Sequence, residues 1–251
     1  MSYKIYPFAV GTFYLDHASL CYQTDYGKKV HCPIEVFLIE GNGQHILVDT
    51  GCCGPEWSAK YHYPVVYNDI SIVEWLASHN LTPDDIKIVV NTHLHWDHCY
   101  NNGLFKNAEI FVQKSELEFA QNPLPSMKFA YEARIPGVNP PWYDARDHFH
   151  VIDGDYELCE GIKLMLLPGH TPGSMSVLVE TDAGLIVVAG DVIQTYDCLD
   201  DSFEGLPKPC GAHTNLEVYY PSLKRLMDTK PVEIIPGHDM RVFDHECYPH
   251  D

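Results

Sequence analysis

No apolar run in this sequence approaches the roughly 18 residues that a bilayer-spanning helix needs, so no membrane partner is expected. Basic charge is scarce: 16 Lys and Arg stand against 35 Asp and Glu, a formal net of −19. Such a surface repels a nucleic-acid backbone, which argues against a nuclease and against any nucleic-acid partner. The nine Cys include no C-x-x-C pair, and adjacent Cys52-Cys53 is an awkward arrangement for a shared structural zinc. Met1 to Asp16 carries one Lys and soon reaches Asp, with no basic region feeding an apolar stretch, unlike a signal peptide. With no secretory signal, the thiols read as reduced and the protein as cytoplasmic.

The 251 residues suffice for a sizeable core, and no repeat, low-complexity tract or linker divides them. One α/β domain over 1–251 is expected. Its clearest pattern is a series of short apolar runs ending in polar or Gly-containing turns. Ile46-Leu47-Val48 enters Asp49-Thr50-Gly51, and Ile86 to Val90 enters Asn91-Thr92-His93. Leu164 to Leu167 enters Pro168-Gly169-His170, Leu185 to Val188 enters Ala189-Gly190-Asp191, and Val232 to Ile235 enters Pro236-Gly237-His238. Runs this short, bounded by turn residues, read as buried strands.

Helices are predicted between them. Ile70, Val73, Leu76 and Ala77 share one face over 70–79. Thr82-Pro83-Asp84-Asp85 reads as a helix start, Ser115 with Glu118 as a capping box, and Pro221 as the beginning of a helix carrying Leu223, Leu226 and Met227. Residues 121–149, with five Pro and several aromatics, read as a long irregular insertion of the kind that forms lids or binding elements.

The chemistry is concentrated at the turn ends. His93, His95, Asp97 and His98 occupy positions i, i+2, i+4 and i+5 just after a strand. No single helix face collects them; an extended or looped segment does better, since a strand-like piece turns i, i+2 and i+4 one way and a turn brings i+5 round. Imidazole and carboxylate are zinc ligands, and four of them in six residues are enough to divide between two ions. His170, Asp191 and His238 add donors from three later strand ends, each directly after a Gly that lets the backbone turn sharply beside a crowded site. A lone His or Asp at a strand end is ordinarily a cap or a surface group, but seven so placed argue for a two-metal centre. Cys99, directly after His98, reads as a small buried hydrophobe. His148, His150, His245 and His250 lack a Gly turn before them and read as surface residues or as supports behind the ligands, not as ligands. Phe13, Tyr14, Tyr22, Trp57, Tyr61, Tyr63, Phe129, Trp142 and Tyr143 are candidates for lining a pocket, with core packing the default for any one of them.

The segment His93-Leu94-His95-Trp96-Asp97-His98, together with His170, Asp191 and His238, resembles the metallo-β-lactamase superfamily from about Ile46 to His238. The resemblance implies an αββα sandwich of two mixed β-sheets flanked by helices, with the metals at one edge of the sheets. It implies a first metal on His93, His95 and His170, a second on Asp97, His98 and His238, and Asp191 bridging the two. Asp49 matches a position that orients the ligand loop. Within the superfamily the chain looks most like the N-acyl homoserine lactone lactonases. The supporting features are its length, Thr92 before the ligand run, Pro168-Gly169-His170-Thr171-Pro172-Gly173, and Gly237-His238-Asp239. That family often carries a Tyr three residues after the bridging Asp, where Gln194 stands here; its amide can still donate to a substrate carbonyl.

The function so implied is hydrolysis of a small lactone at two zinc ions, or other divalent transition metals, by attack of a metal-bridging hydroxide. Asp97 is the candidate proton carrier from nucleophile to leaving oxygen. A homodimer is also implied. The alternatives on the same dimetal site are a thioesterase of glyoxalase II type and a cyclic-amide hydrolase, with a non-catalytic metal-binding module as a third class. A diiron oxygen- or NO-reducing module is disfavoured by His95, where such modules usually carry a carboxylate.

Overall fold

The computed structural model describes residues 2–133, 135–200 and 202–250. Two sheets carry the fold. The first has strands β1 (Lys4–Asp16), β2 (Lys29–Gly41), β3 (Gln44–Val48), β4 (Val66–Tyr67), β5 (Ile88–Val90), β6 (Glu109–Gln113) and β7 (Phe149–Ile152), in the order β4-β1-β2-β3-β5-β6-β7. The second has β8 (Tyr156–Cys159), β9 (Ile162–Leu166), β10 (Met175–Thr181), β11 (Gly184–Val188) and β14 (Glu233–Ile235), in the order β14-β11-β10-β9-β8. A two-stranded hairpin of β12 (Ser202–Phe203) and β13 (Leu206–Pro207) lies outside both.

The layering follows from side-chain alternation along each strand. Ile46, Val48, Val90 and Phe111 of the first sheet share one core with Leu164, Val177, Val179, Ile186, Val188 and Ile235 of the second. The residues between them point outward. Leu47, Val89 and Ile110 pack under Ile72, Trp75 and Leu76 of the helix Ile72–Ser78. Met165, Leu178 and Val187 pack under Tyr219, Leu223 and Leu226 of the helix Leu216–Met227. At roughly 1.5–3 kcal/mol per buried aliphatic or Phe side chain, these three layers of contact are the main stabilising term. The order is helix, sheet, sheet, helix, as the resemblance implied.

Four sequence expectations are corrected. The first helix spans Ile72–Ser78, capped by Ser71 and boxed by Glu74; its buried face is Ile72, Trp75 and Leu76, while Ile70 and Val73 are exposed. Thr82-Pro83-Asp84-Asp85 forms only a three-residue 3₁₀ turn. Ser115 is the second residue of the helix Lys114–Gln121 and not its cap; its hydroxyl donates to Pro172 O at 3.1 Å. The last helix begins at Leu216, where the Asn215 side chain accepts from Glu217 N at 2.8 Å, and Pro221 lies inside it. A proline removes one internal bond but cannot override the burial of Tyr219, Leu223 and Leu226.

The stretch 122–145 forms turns without strand or helix among its described residues, followed by a 3₁₀ turn at Arg146–His148. It is anchored by buried Tyr131, Trp142 and Ala145. No helix among the described residues is long and apolar enough to cross a membrane.

Candidate metal centre

Five strands deliver the site. The C-terminal ends of β3 and β5 in one sheet, and of β9, β11 and β14 in the other, lead into Asp49, His93, His170, Asp191 and His238. β3 and β5 run parallel, as do β11 and β14. β9 shares their direction through its antiparallel partner β10. The site therefore sits where chain ends converge, away from the ladders that need every backbone group.

The segment His93 to His98 is looped at its start, one of the two forms expected, but its second half is helical. His93 and His95 lie in a loop, and Trp96–Cys99 is one helical turn with His95 as its N-cap, so Asp97 and His98 come from the helix. Two glycines are forced by crowding. A Cβ on Gly169 would run into the Tyr219 ring, and one on Gly190, at φ +53°, would lie 2.9 Å from Thr92.

The seven predicted ligands are all buried and form two groups, His93-His95-His170-Asp191 and Asp97-His98-His238. Within the first, His170 Nε2 lies 3.3 Å from His93 Nε2 and 3.1 Å from His95 Nδ1. Asp191 faces both groups with different oxygens. Its Oδ2 is 3.2 Å from His170 Nε2 and 3.8 Å from His93 Nε2. Its Oδ1 is 3.1 Å from His238 Nε2 and 3.3 Å from His98 Nε2.

The far nitrogens explain why these atoms converge. His170 Nδ1 donates to Ala212 O at 2.6 Å and His238 Nδ1 to Pro33 O at 2.7 Å. His98 Nδ1 donates to Asp49 Oδ2 at 2.8 Å. The outer nitrogen of each ring is thereby bonded away from the cluster, and the Nε2 atoms of all three turn inward. Asp49 also accepts from Thr92 N and Thr92 Oγ1, at 2.8 and 2.7 Å, so one carboxylate braces both ends of the ligand run.

Donor atoms of this kind, crowded together out of water, call for cations among them. Among the described residues, Asp97 and Asp191 form ion pairs with histidines only. Burial, then the His98 and His95 rings, pushes His93 well below the usual imidazole range; burial and His170 do the same to His95. In His98 burial acts against the charged form, but the Asp191, Asp49 and Asp97 carboxylates outweigh it and hold that ring well above its usual range. Burial likewise opposes the charge on Asp191, and the surrounding imidazoles still hold its carboxyl well below the usual range. Neutral nitrogens on one side and an excess of carboxylate on the other are the donor set of divalent transition metals. The residues fit two such ions.

Gln194 lies beside Asp191. Its Nε2 donates to Asp191 Oδ2 at 2.5 Å and its Oε1 has no partner, so one of its two N–H groups is already engaged by the carboxylate. Phe13, Leu20, Tyr63, Met127 and Phe129 line the cleft above the cluster, together with His95, Asp97 and Gln194. Cys99 is fully buried with its thiol against His95 O.

Sequence reasoning missed Glu116. This fully buried carboxylate accepts from Leu94 N at 3.0 Å and Tyr131 Oη at 2.6 Å with Oε1. With Oε2 it accepts from Thr171 Oγ1 at 2.5 Å and Gly173 N at 3.2 Å. It ties the His93–His95 loop, the His170 loop and the insertion together. An acidic residue in the first turn of a helix reads only as a partner of the helix dipole, so no sequence signal marked it.

Residues 31–238 match the profile of the metallo-beta-lactamase superfamily. The N-acyl homoserine lactonase AiiA of Bacillus thuringiensis subsp. kurstaki is 31% identical, over 94% of this chain and 93% of its own length. The solved structure of an N-acyl homoserine lactone hydrolase with the product N-hexanoyl-L-homoserine bound at its catalytic metal centre is 29% identical. It superposes with a TM-score of 0.77 over 97% of this chain and 96% of that one. A mutant of B. thuringiensis AiiA with N-decanoyl-L-homoserine bound at its active site gives 31% identity and a TM-score of 0.76, over 97% and 96% of the two chains. The chain belongs to the metallo-β-lactamase superfamily and, within it, to the family of the N-acyl homoserine lactonases. It is a hydrolase.

Proposed function

We propose that this hydrolase opens the ring of N-acyl homoserine lactones or related small lactones at two divalent metal ions, zinc in the first instance. The observation that carries the reading is Asp191, whose two oxygens face two separate histidine groups. His93, His95 and His170 would hold one ion, Asp97, His98 and His238 the other, and Asp191 both. When bound, such a pair supplies Lewis acidity and a water acidic enough to serve as nucleophile near neutral pH.

The chain's own residues do the rest. Asp49 and Glu116 hold the ligand loops. Phe13, Tyr63 and Phe129 offer an apolar wall to an acyl chain and exclude water from it. Met127, Phe129 and Ala130 bring the 121–149 insertion to the cleft, which supports its role as a lid. Asp97, whose carboxylate also borders the cleft, would take the proton of the attacking water and return it to the ring oxygen as that leaves. A homodimer and a cytoplasmic setting belong to the same reading, the latter supported by nine unpaired cysteines.

The test is a substrate panel on zinc-loaded protein: N-acyl homoserine lactones, simple lactones, glutathione-type thioesters and cyclic amides. The lactones are expected to give the highest kcat/KM. A dominant thioester or cyclic-amide activity, or inertness toward the whole panel, would overturn the reading.

A further inference from the structure

Three more side chains with metal-binding chemistry meet outside the seven described above. Cys53 follows the Asp49 turn, His62 ends the helix Pro55–Tyr61, and Glu132 belongs to the insertion. Cys53 is 1% exposed, and the His62 and Glu132 side chains are each 1% exposed. One donor atom from each lies within 4.8 Å of the other two.

The hydrogen bonding of this cluster is incomplete. Glu132 Oε1 accepts from Trp57 Nε1 at 2.7 Å and faces His62 Nε2 at 2.5 Å. Glu132 Oε2 and His62 Nδ1 are both buried and have no partner. Among the described residues no Lys or Arg pairs with Glu132, whose one ion-pair partner is His62. A buried polar atom left without a partner is destabilising, and a carboxylate more so. Two such atoms on two adjoining side chains, with a thiol beside them, form a donor set that a cation would satisfy.

We propose that Cys53, His62 and Glu132 form a third metal site, separate from the seven-residue centre, that takes a divalent transition metal of the zinc class. One sulfur, one imidazole nitrogen and one carboxylate oxygen are three of zinc's usual donors, and water completes the fourth position. The metal displaces the Cys53 proton to solvent as the thiolate binds it. Without metal that thiol keeps its proton, because burial and then the Glu132 charge push it up to about 12. Trp57 holds the carboxylate from outside, as a partner one bond removed from an ion commonly does.

The site would pin three separate pieces of chain, the Cys53 loop, the Pro55–Tyr61 helix and the insertion. His62 also stacks on Trp96, ring centroids 4.1 Å apart, and Trp96 opens the helical turn that carries Asp97 and His98. A metal here therefore fixes one wall of the cleft without touching substrate.

The experiment is titration of metal-free protein with cobalt(II), followed by absorption and by metal analysis. The seven residues of the main centre include no Cys, so a near-ultraviolet thiolate-to-cobalt band reports the new site. Three ions per chain and such a band are expected. Cys53→Ser should remove the band and one ion, and Glu132→Gln should weaken the third ion by about tenfold or more. Cys32→Ser, at a thiol lining the cleft, should leave the band in place. Circular dichroism checks that each variant folds, and Glu132→Gln carries the test if Cys53→Ser does not. Saturation at two ions, or a third ion and band that persist in both Cys53→Ser and Glu132→Gln, would overturn the proposal; a trapped water would then satisfy the cluster.

Discussion

Glu116 and Thr171 are joined by a 2.5 Å hydrogen bond that ties the helix Lys114–Gln121 to the loop carrying His170. The other oxygen of the same carboxylate holds Leu94, between His93 and His95. Glu116→Gln replaces one acceptor oxygen with a donor and must set an N–H against either the Thr171-Gly173 pair or the Leu94-Tyr131 pair. Metal affinity should fall about 10- to 100-fold in a protein that still folds, measured by competition with a chromophoric chelator. Tyr131→Phe removes one of the four bonds and should cost about 1 kcal/mol in urea denaturation.

Asp49→Asn separates charge from backbone. Asp49 sits at φ +60°, a conformation Asn tolerates, so the turn survives the change. The amide can still accept from Thr92 but presents either a neutral oxygen or a clashing N–H to His98 Nδ1. The expected result is loss of about one to two orders of magnitude in affinity for the ion on the His98 side, read from metal content after dialysis against a weak chelator.

Much of this was legible in the sequence because strand ends announce themselves. The runs ending at Val48, Val90, Val188 and Ile235 are strands where expected, and each stops at the residue before a turn that bears a donor or its support. β1 and β2 were not legible although each has 13 residues. Pro7, Gly11 and Pro33 lie inside them and read as breakers, while the register shift between Ala9 and Gly11 breaks the alternation. Gly11 is there because a Cβ would come within 2.7 Å of Val65 and 2.8 Å of the Val66 carbonyl, contacts that only the fold creates. Glu116 was hidden for the same reason, since its partners stand 22 and 55 residues away along the chain.

Gln194 sets the substrate question. One N–H of its amide is engaged with Asp191, which holds the nitrogen against the carboxylate and leaves an acceptor without a partner beside the cleft. A substrate carbonyl needs a donor. Gln194→Tyr should raise kcat/KM for N-hexanoyl homoserine lactone by about tenfold, the worth of one hydrogen bond, mainly through kcat if the bond forms in the transition state. Unchanged or lower kcat/KM would mean that the amide turns to serve the substrate itself.

Thiol accessibility gives an independent check of the core. Seven of the nine cysteines are buried, and only Cys159 and Cys247 are partly exposed. A chromogenic disulfide reagent should titrate at most these two rapidly in the native protein and all nine in denaturant. Rapid reaction of more than two would contradict the packing around Cys21, Cys32 and Cys198.

The most direct test of the two-metal account is Asp191→Ala, with bound zinc and N-acyl homoserine lactone hydrolysis measured on the same preparation. Since Asp191 faces both histidine groups, the account predicts that zinc in the seven-residue centre and hydrolysis are lost together, and that added zinc does not restore the rate. Hydrolysis at the wild-type rate in the variant stripped of metal would contradict it.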